Sequence, residues 1–382
     1  VGIALVATLA LTLVGCAAQS SQGASSTSTA DTSAKTVKIG FAAPLTGDNA
    51  IYGQGMQRAV NLAVEEANAS ETVKAKGITF GVQAGDDAGD PKQAVNVASS
   101  LAADREVVAV VGHFNSGCSI PAAPVYKNSK MAMVTVSSNP QLTAVGFPNV
   151  DRVVAKDDAQ GAFAGELASK LGFKQVALID DSTPYGQGLA AEFKKAFQAK
   201  GGTVVMSEAI QPKEVDFSAL VTKLKAKSPQ AVYYAGAHSE GALLTRQMKM
   251  NGLKVPLMGG DMLYTPEYIK IAGADNADGD MATSLGTPLD QQPRGTEFAA
   301  KYQAKYGKAP EAYDSYAYDA ARCIIQAVLS AGPDRAAVMS AVRNGTLSDG
   351  VTGVVAFDAN GDNKVQVISA YKVTGGEWKQ LQ

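Results

Sequence analysis

The chain is poor in the residues that most often carry metal and nucleophilic chemistry: two histidines, three cysteines and one tryptophan in 382 residues. Cys16, Cys118 and Cys323 stand far apart with no ligand spacing, which argues against a zinc or iron–sulfur centre. Cys118 and Cys323 are expected as buried free thiols, since a bridge would need their Cα atoms within about 7 Å. His113 and His238 have no nucleophile beside them in the sequence, and neither a P-loop nor a Gly-x-Ser-x-Gly turn is present. His113 therefore reads as a structural residue at a strand end, and the chain is not expected to be an enzyme or to need a cofactor. Charge is scarce too, at 18% of residues with a net of −2 and no block of one sign. A nucleic-acid partner, which needs a basic face, is thereby excluded.

What is present is a long α/β alternation, enough for two domains at roughly 150 residues each. Its centre is the stretch from Gly112 to Thr143. The apolar runs Val107 to Val111 and Met131 to Val136 suit strands buried on both faces of a parallel sheet. Each ends in small hydroxyl residues and a turn signal, and Ser116 to Tyr126 is the expected crossover helix between them. Carboxyl ends of neighbouring strands form the ligand crevice of an open α/β sheet. The first turn of that helix offers free N–H groups and a positive dipole end, and Ser116, Ser137 and Ser138 add hydroxyls. Together they suit a carboxylate, not a nucleotide.

The N-terminus carries a separate message. Ile3 to Val14 is an apolar run of secretory length, too short to span a bilayer, and it ends Leu13-Val14-Gly15-Cys16. That ending looks like a bacterial lipobox, with lipid on Cys16 and cleavage before it. No methionine or basic segment precedes the run, so the recorded sequence is expected to start inside the leader. Residues 1–15 are read as signal peptide. Residues 16–35, rich in Ser, Thr and Ala, are read as a flexible tether. Several acyl chains on one cysteine would anchor firmly, at ~0.8 kcal/mol per buried CH₂.

Past the tether, strands are expected at Val37 to Ala42 and Ile78 to Val82, with Asp90-Pro91 opening a helix to Ala103. The alternation restarts at Asp157, with strands at Val176 to Ile179, Val204-Val205, Ala231 to Tyr234, Pro256 to Gly259 and Met281 to Ser284. Tyr52-Gly-Gln-Gly and Tyr185-Gly-Gln-Gly form an internal echo, each after a strand and at a helix start, which suggests two similarly built halves. Gly186-Gln-Gly188 lies too far from Asp180 for a dinucleotide fingerprint. The pairs Asp86-Asp87, Asp157-Asp158 and Asp180-Asp181 are read as solvated loop acids. Near the end, Val354 to Phe357 and Val365 to Val373 are expected as strands joined by a hairpin at Asp358 to Asp362. A calcium loop is rejected there, because its glycine falls at the fourth place and Ser369 stands at the twelfth.

Asp261 follows Leu257-Met258-Gly259-Gly260 at a strand's carboxyl end, where crevice residues belong. At this point a family resemblance emerges. Asp86-Asp87-Ala88-Gly89-Asp90-Pro91-Lys92-Gln93-Ala94, Val111-Gly112-His113, Ser138-Asn139-Pro140 with Leu142-Thr143, Tyr185-Gly186-Gln187-Gly188 and Asp216-Phe217-Ser218-Ala219-Leu220 occur in one order across residues 37–373. The chain resembles the branched-chain amino-acid-binding proteins of ABC transporters, within the type I periplasmic binding fold. The resemblance implies two doubly wound α/β lobes, 36–154 with 285–358 and 155–284 with 359–382, joined by crossovers near Val154, Ser284 and Asp358. It implies that Ser116, the Ser137 amide and the Ser138 hydroxyl hold a ligand's α-carboxylate and part of its ammonium. Asp261 would neutralise the ammonium, where many relatives carry Glu, and Tyr185 would close from the second lobe. Tyr52, Phe114 and Tyr313 match side-chain pocket positions. Ala237 stands where relatives that bind Leu, Ile or Val carry an aromatic residue, and their disulfide cysteines are replaced by Gly89 and Asn115. The expectation is a monomeric, lipid-anchored solute-binding protein of the bacterial envelope, outside the cytoplasmic membrane. It would hand an amino acid to permease subunits; the alternative is a sensor of the same fold for an amide or other small polar solute, reporting to a receptor.

Overall fold

A computed structural model describes residues 1, 2 and 35–381. The leader, Cys16 and the tether up to Ala34 lie outside the described residues. Five strands, β1 Lys35–Ala43, β2 Ile78–Asp86, β3 Val107–Gly112, β4 Ala132–Thr135 and β5 Val150–Arg152, form one parallel sheet in the order β2-β1-β3-β4-β5. β3 and β4 are buried along their whole length, as unbroken apolar runs between two helix layers require. The helix Ser116–Asn128 connects them. Strand order reverses between β1 and β3, so the carboxyl ends of β1, β3 and β4 edge a crevice.

After β5 the chain enters a second sheet. It contributes β6 Gln175–Asp180, β7 Thr203–Ala209, β8 Ala231–Ala235, β9 Leu257–Gly259 and β10 Met281–Ser284. After Ser284 the helices Gly295–Tyr306 and Asp314–Ala331 follow, and the latter packs along the helix Ala50–Ala69 beside the first sheet. Next come β11 Thr346–Gly350 and β12 Gly353–Ala356, paired only with each other. The chain then returns to the second sheet as antiparallel β13 Ser369–Thr374 and β14 Glu377–Gln380, completing the order β14-β13-β10-β9-β8-β6-β7.

The expected hairpin turn forms at Asp358 to Asp362, closed by an antiparallel bridge between Phe357 and Asn363 and by the Asp358 amide on the Asp362 carbonyl at 2.9 Å. The strands beyond it do not pair with each other: β12 pairs with β11, and β13 pairs with β10 in another sheet. A buried ion pair also holds the turn. Arg152, at the end of β5, donates Nε to Asp362 Oδ1 at 3.1 Å, and Thr143 donates its hydroxyl to the same oxygen at 2.9 Å. Lys156 reaches Asp362 Oδ2 at 3.1 Å. Arg152 also donates to the Ser137 and Asn139 carbonyls and to Thr143 Oγ1.

The internal echo has a steric cause. A Cβ at Gly53 would stand 1.9 Å from the Pro44 carbonyl oxygen, and one at Gly186 would stand 2.5 Å from that of Ala235. Both helices press their first turns onto backbone, which only glycine permits. Cys118 and Cys323 are free and buried. Among the described residues no helix is long and apolar enough to cross a membrane.

Candidate functional site

Asp261 opens a three-residue 3₁₀ turn directly after β9 and Gly260. Its carboxylate is buried and collects three donors. Tyr185, in the first turn of the helix Pro184–Ala199, donates to Oδ1 at 2.8 Å, and Gln160 Nε2 donates to the same atom at 2.7 Å. Tyr313, just before the helix Asp314–Ala331, donates to Oδ2. Burial pushes the Asp261 carboxyl above the usual carboxylate range, and the Tyr313 and Tyr185 hydroxyls oppose that shift by stabilising the anion.

Each sheet with the helices on it is one lobe: Tyr185 and Asp261 follow strands of the second sheet, and Tyr313 precedes a helix packed beside the first, so the hydroxyl of Tyr313 crosses the cleft between them. Other hydrogen bonds cross it as well. Tyr52 donates to the Met262 carbonyl at 2.7 Å, and Asn139 Nδ2 donates to the Pro184 carbonyl at 2.5 Å. The lobes are closed on each other. Tyr52 stacks on Phe114 at 5.0 Å and meets Tyr313 edge-on at 5.4 Å, while Phe114 and Tyr313 lie 4.9 Å apart. These aromatic rings pack together and leave a cavity of about 20 Å³, lined by Phe114, Ser116, Ser138, Tyr185, Asp261 and Tyr313 among others. That is room for roughly one water, so an amino acid enters only if the lobes part.

The three serines of the first lobe play different parts. Ser116 begins the helix Ser116–Asn128, and its hydroxyl accepts the Asn139 amide at 3.4 Å. Ser138 lines the cavity. Ser137 turns inward: its amide donates to Thr135 Oγ1 at 3.0 Å, and its hydroxyl reaches the Phe114 carbonyl at 2.8 Å and Ser119 Oγ at 2.5 Å. Ala237 precedes the helix His238–Met250 and is half-buried. It faces a second, larger cleft of about 400 Å³ that shares Ser116, Tyr185 and Met262 with the inner cavity. A Cβ on Gly89 would lie 3.4 Å from Asn115 Oδ1, so these two positions are neighbours at the rim of that cleft.

Sequence reasoning misjudged the acid pairs. Asp87, Asp157 and Asp181 are buried, and only their partners Asp86, Asp158 and Asp180 retain partial exposure. Asp87 accepts from His113 Nδ1 at 2.6 Å, and His113 Nε2 meets the Tyr126 hydroxyl at 3.0 Å, which locks that imidazole into the scaffold. Asp181 accepts the Thr183 amide at 3.0 Å and the Thr183 hydroxyl at 2.5 Å. Asp157 lies beside the site itself. Its signal in the sequence was Gln160, three residues on, which places a second polar side chain on the same helix face. His238 was also missed: its Nδ1 lies 3.3 Å from the Tyr52 hydroxyl, and burial holds its imidazole below the ordinary value.

The periplasmic binding protein family matches this chain over residues 36–377. A Leu/Ile/Val-binding protein homologue of Brucella abortus is 38% identical over 339 residues, which is 88% of this chain and 90% of that protein. A leucine-binding protein of Thermotoga maritima superposes with a TM-score of 0.82 at 28% identity, covering 91% of this chain and 98% of its own. A substrate-binding protein of a branched-chain amino acid transporter from Streptococcus pneumoniae, solved in complex with isoleucine, gives a TM-score of 0.83 at 26% identity and covers 90% and 98%.

Proposed function

The chain belongs to the periplasmic binding proteins of the branched-chain amino-acid type, and from that membership we propose that it captures an α-amino acid between its lobes and delivers it to the permease of an ABC importer. It works outside the cytoplasmic membrane. Lipid on Cys16 tethers it to the envelope, a reading supported by the run Leu13-Val14-Gly15-Cys16.

The observation that carries this reading is Asp261, a buried carboxylate at the junction of the lobes, opposite the start of the helix Ser116–Asn128. An acid on one wall and a helix N-terminus with hydroxyls on the other complement a zwitterion. Asp261 takes the ammonium. Ser116, Ser138 and the helix N-terminus take the carboxylate, and Ser137 braces the two strand ends beneath them. Tyr185 closes from the second lobe. Tyr52, Phe114 and Tyr313 part to receive the side chain, and Ala237 leaves its outer wall open. That opening favours a second reading of the ligand, in which a longer side chain or an amide-bearing solute extends into the cleft of about 400 Å³.

A thermal-shift screen across the twenty common amino acids tests the proposal. A true ligand at about 100 times its dissociation constant stabilises the fold by roughly 2.7 kcal/mol. If no amino acid, amide or small carboxylate raises Tm, the solute-capture reading fails.

A further inference from the structure

The helix Asp157–Lys170 opens beside the cavity with a second acid. Asp157 is 0% exposed, and its amide donates to the Ser138 carbonyl at 3.0 Å. Neither of its carboxylate oxygens has a hydrogen-bond partner. Gln160, one turn along, donates to Asp261 Oδ1 at 2.7 Å, so the face that carries Asp157 is turned toward Asp261. Gln160 Oε1 and the Tyr233 hydroxyl are buried and unpartnered as well. Native proteins rarely leave such atoms unmet, because each costs its desolvation without return.

The charged groups around Asp157 are Asp261 across from it, Asp158 on its own helix and Arg152 before it, with Tyr185, Tyr233 and Tyr313 as the neighbouring phenols. Arg152 is the one cation among them, and its hydrogen bonds go to Asp362, Ser137, Asn139 and Thr143, not to Asp157. The two acids are thus unequal. Asp261 has three donors in close geometry, whereas Asp157 has only the Ser138 hydroxyl near it. Burial first, and the neighbouring Asp261 second, push the Asp157 carboxyl well above the usual range, and the nearby Ser138 hydroxyl opposes the shift. Burial and the facing carboxylate both favour the neutral acid as long as no cation stands beside Asp157.

We propose that Asp157 is a second ligand-facing carboxylate of the ammonium site, and that capture of an α-amino acid expels its proton. The proposal rests on the solute-capture reading above. A primary ammonium has three N–H donors; one meets Asp261 and another meets Asp157. The Asp157 O–H bond breaks, the electron pair stays on oxygen, the proton passes to solvent, and the ligand keeps all its ammonium hydrogens. A ligand with a carboxylate but no ammonium supplies no cation and expels no proton. Affinity for an amino acid then rises with pH by up to about tenfold per unit while Asp157 is protonated in the empty protein.

Calorimetric titration of the full chain at pH 7, in phosphate and in Tris, reads the proton count from the difference in apparent enthalpy. The probe is whichever of the twenty amino acids raises Tm most, titrated beside its deamino analogue. The expected result is proton release for the amino acid, none for the analogue, and none for the amino acid with Asp157→Asn. Amino-acid binding without proton release in the wild type overturns this inference and leaves the solute-capture reading standing. So does equal release by Asp157→Asn. If no amino acid binds, both fall.

Discussion

Tyr313 of the first lobe donates its hydroxyl to Asp261 of the second, the same carboxylate that Tyr185 meets at 2.8 Å from its own lobe. Asp261 is thus met by hydroxyls from both sides of the cleft. If Asp261 takes a ligand's ammonium as proposed, the ligand has to compete with the Tyr313 bond.

Asp261→Asn keeps the shape and removes the charge. A charge-assisted hydrogen bond in a closed site is worth ~1.5–3 kcal/mol, so affinity for the best α-amino acid should fall roughly ten- to a hundredfold. The new amide also offers a donor where three donors already converge, so the empty protein should lose a few degrees of Tm. Calorimetric titration decides: unchanged affinity removes Asp261 from the site.

Tyr313→Phe should release the empty form. The single tryptophan, Trp378, reports on it, since Trp378 and Tyr264 of the second lobe line one side of a groove whose other side is Ala309 to Ala312 of the first. Without the hydroxyl, the ligand-free variant should show red-shifted Trp378 emission and faster acrylamide quenching, and saturating ligand should restore both. Identical spectra for variant and wild type would mean that this bond does not hold the lobes.

Ala237→Tyr should narrow the passage to the outer cleft. Bulky ligands should lose affinity, while a small aliphatic one is spared or improved. Competition between ligands of graded size is the measurement, and equal loss for all of them would show that the residue does not select.

Asp181 gives a pH signature in the empty protein. Burial raises its carboxyl to about 6, against the pull of the Thr183 hydroxyl and amide, from about 3.9 when unfolded. A raised folded value means that the native state holds the proton more tightly. Its contribution to stability is therefore full below about pH 4 and is lost as pH rises through 6, over a span of up to about 2.9 kcal/mol. Asp181→Asn should flatten that part of the profile, because its Oδ1 can still accept from Thr183. Urea titrations from pH 4 to 7 would show it, and an unchanged slope would place the titration elsewhere.

The strands of the first sheet were legible because β3 and β4 are unbroken apolar runs that only a doubly covered sheet can use. Asp261 was legible because two glycines and a strand end precede it. What escaped was whatever depends on distant partners. β11 and β14 are short and mostly exposed, so they lack apolar alternation. The turn at Asp358 carries hairpin chemistry locally, but Arg152, far away in sequence, recruits Asp362 and sets the turn's place. Asp157 looked solvated because an adjacent pair of acids usually is. Its burial comes from the helix face it shares with Gln160, set by the packing of that helix beside Asp261.

The pinning of Arg152 has a mechanical consequence. One side chain clamps the loop carbonyls of Ser137 and Asn139 to Asp362, which lies on the last passage between the lobes. A lever turns about the point that cannot move. If Arg152 is that fulcrum, residues close to it sweep short arcs when the lobes part, and the rim at Ala237 sweeps a long one. A spin label beside Asp362 would then barely shift its spectrum on ligand addition, while a pair of labels straddling the Ala237 rim would register the whole stroke.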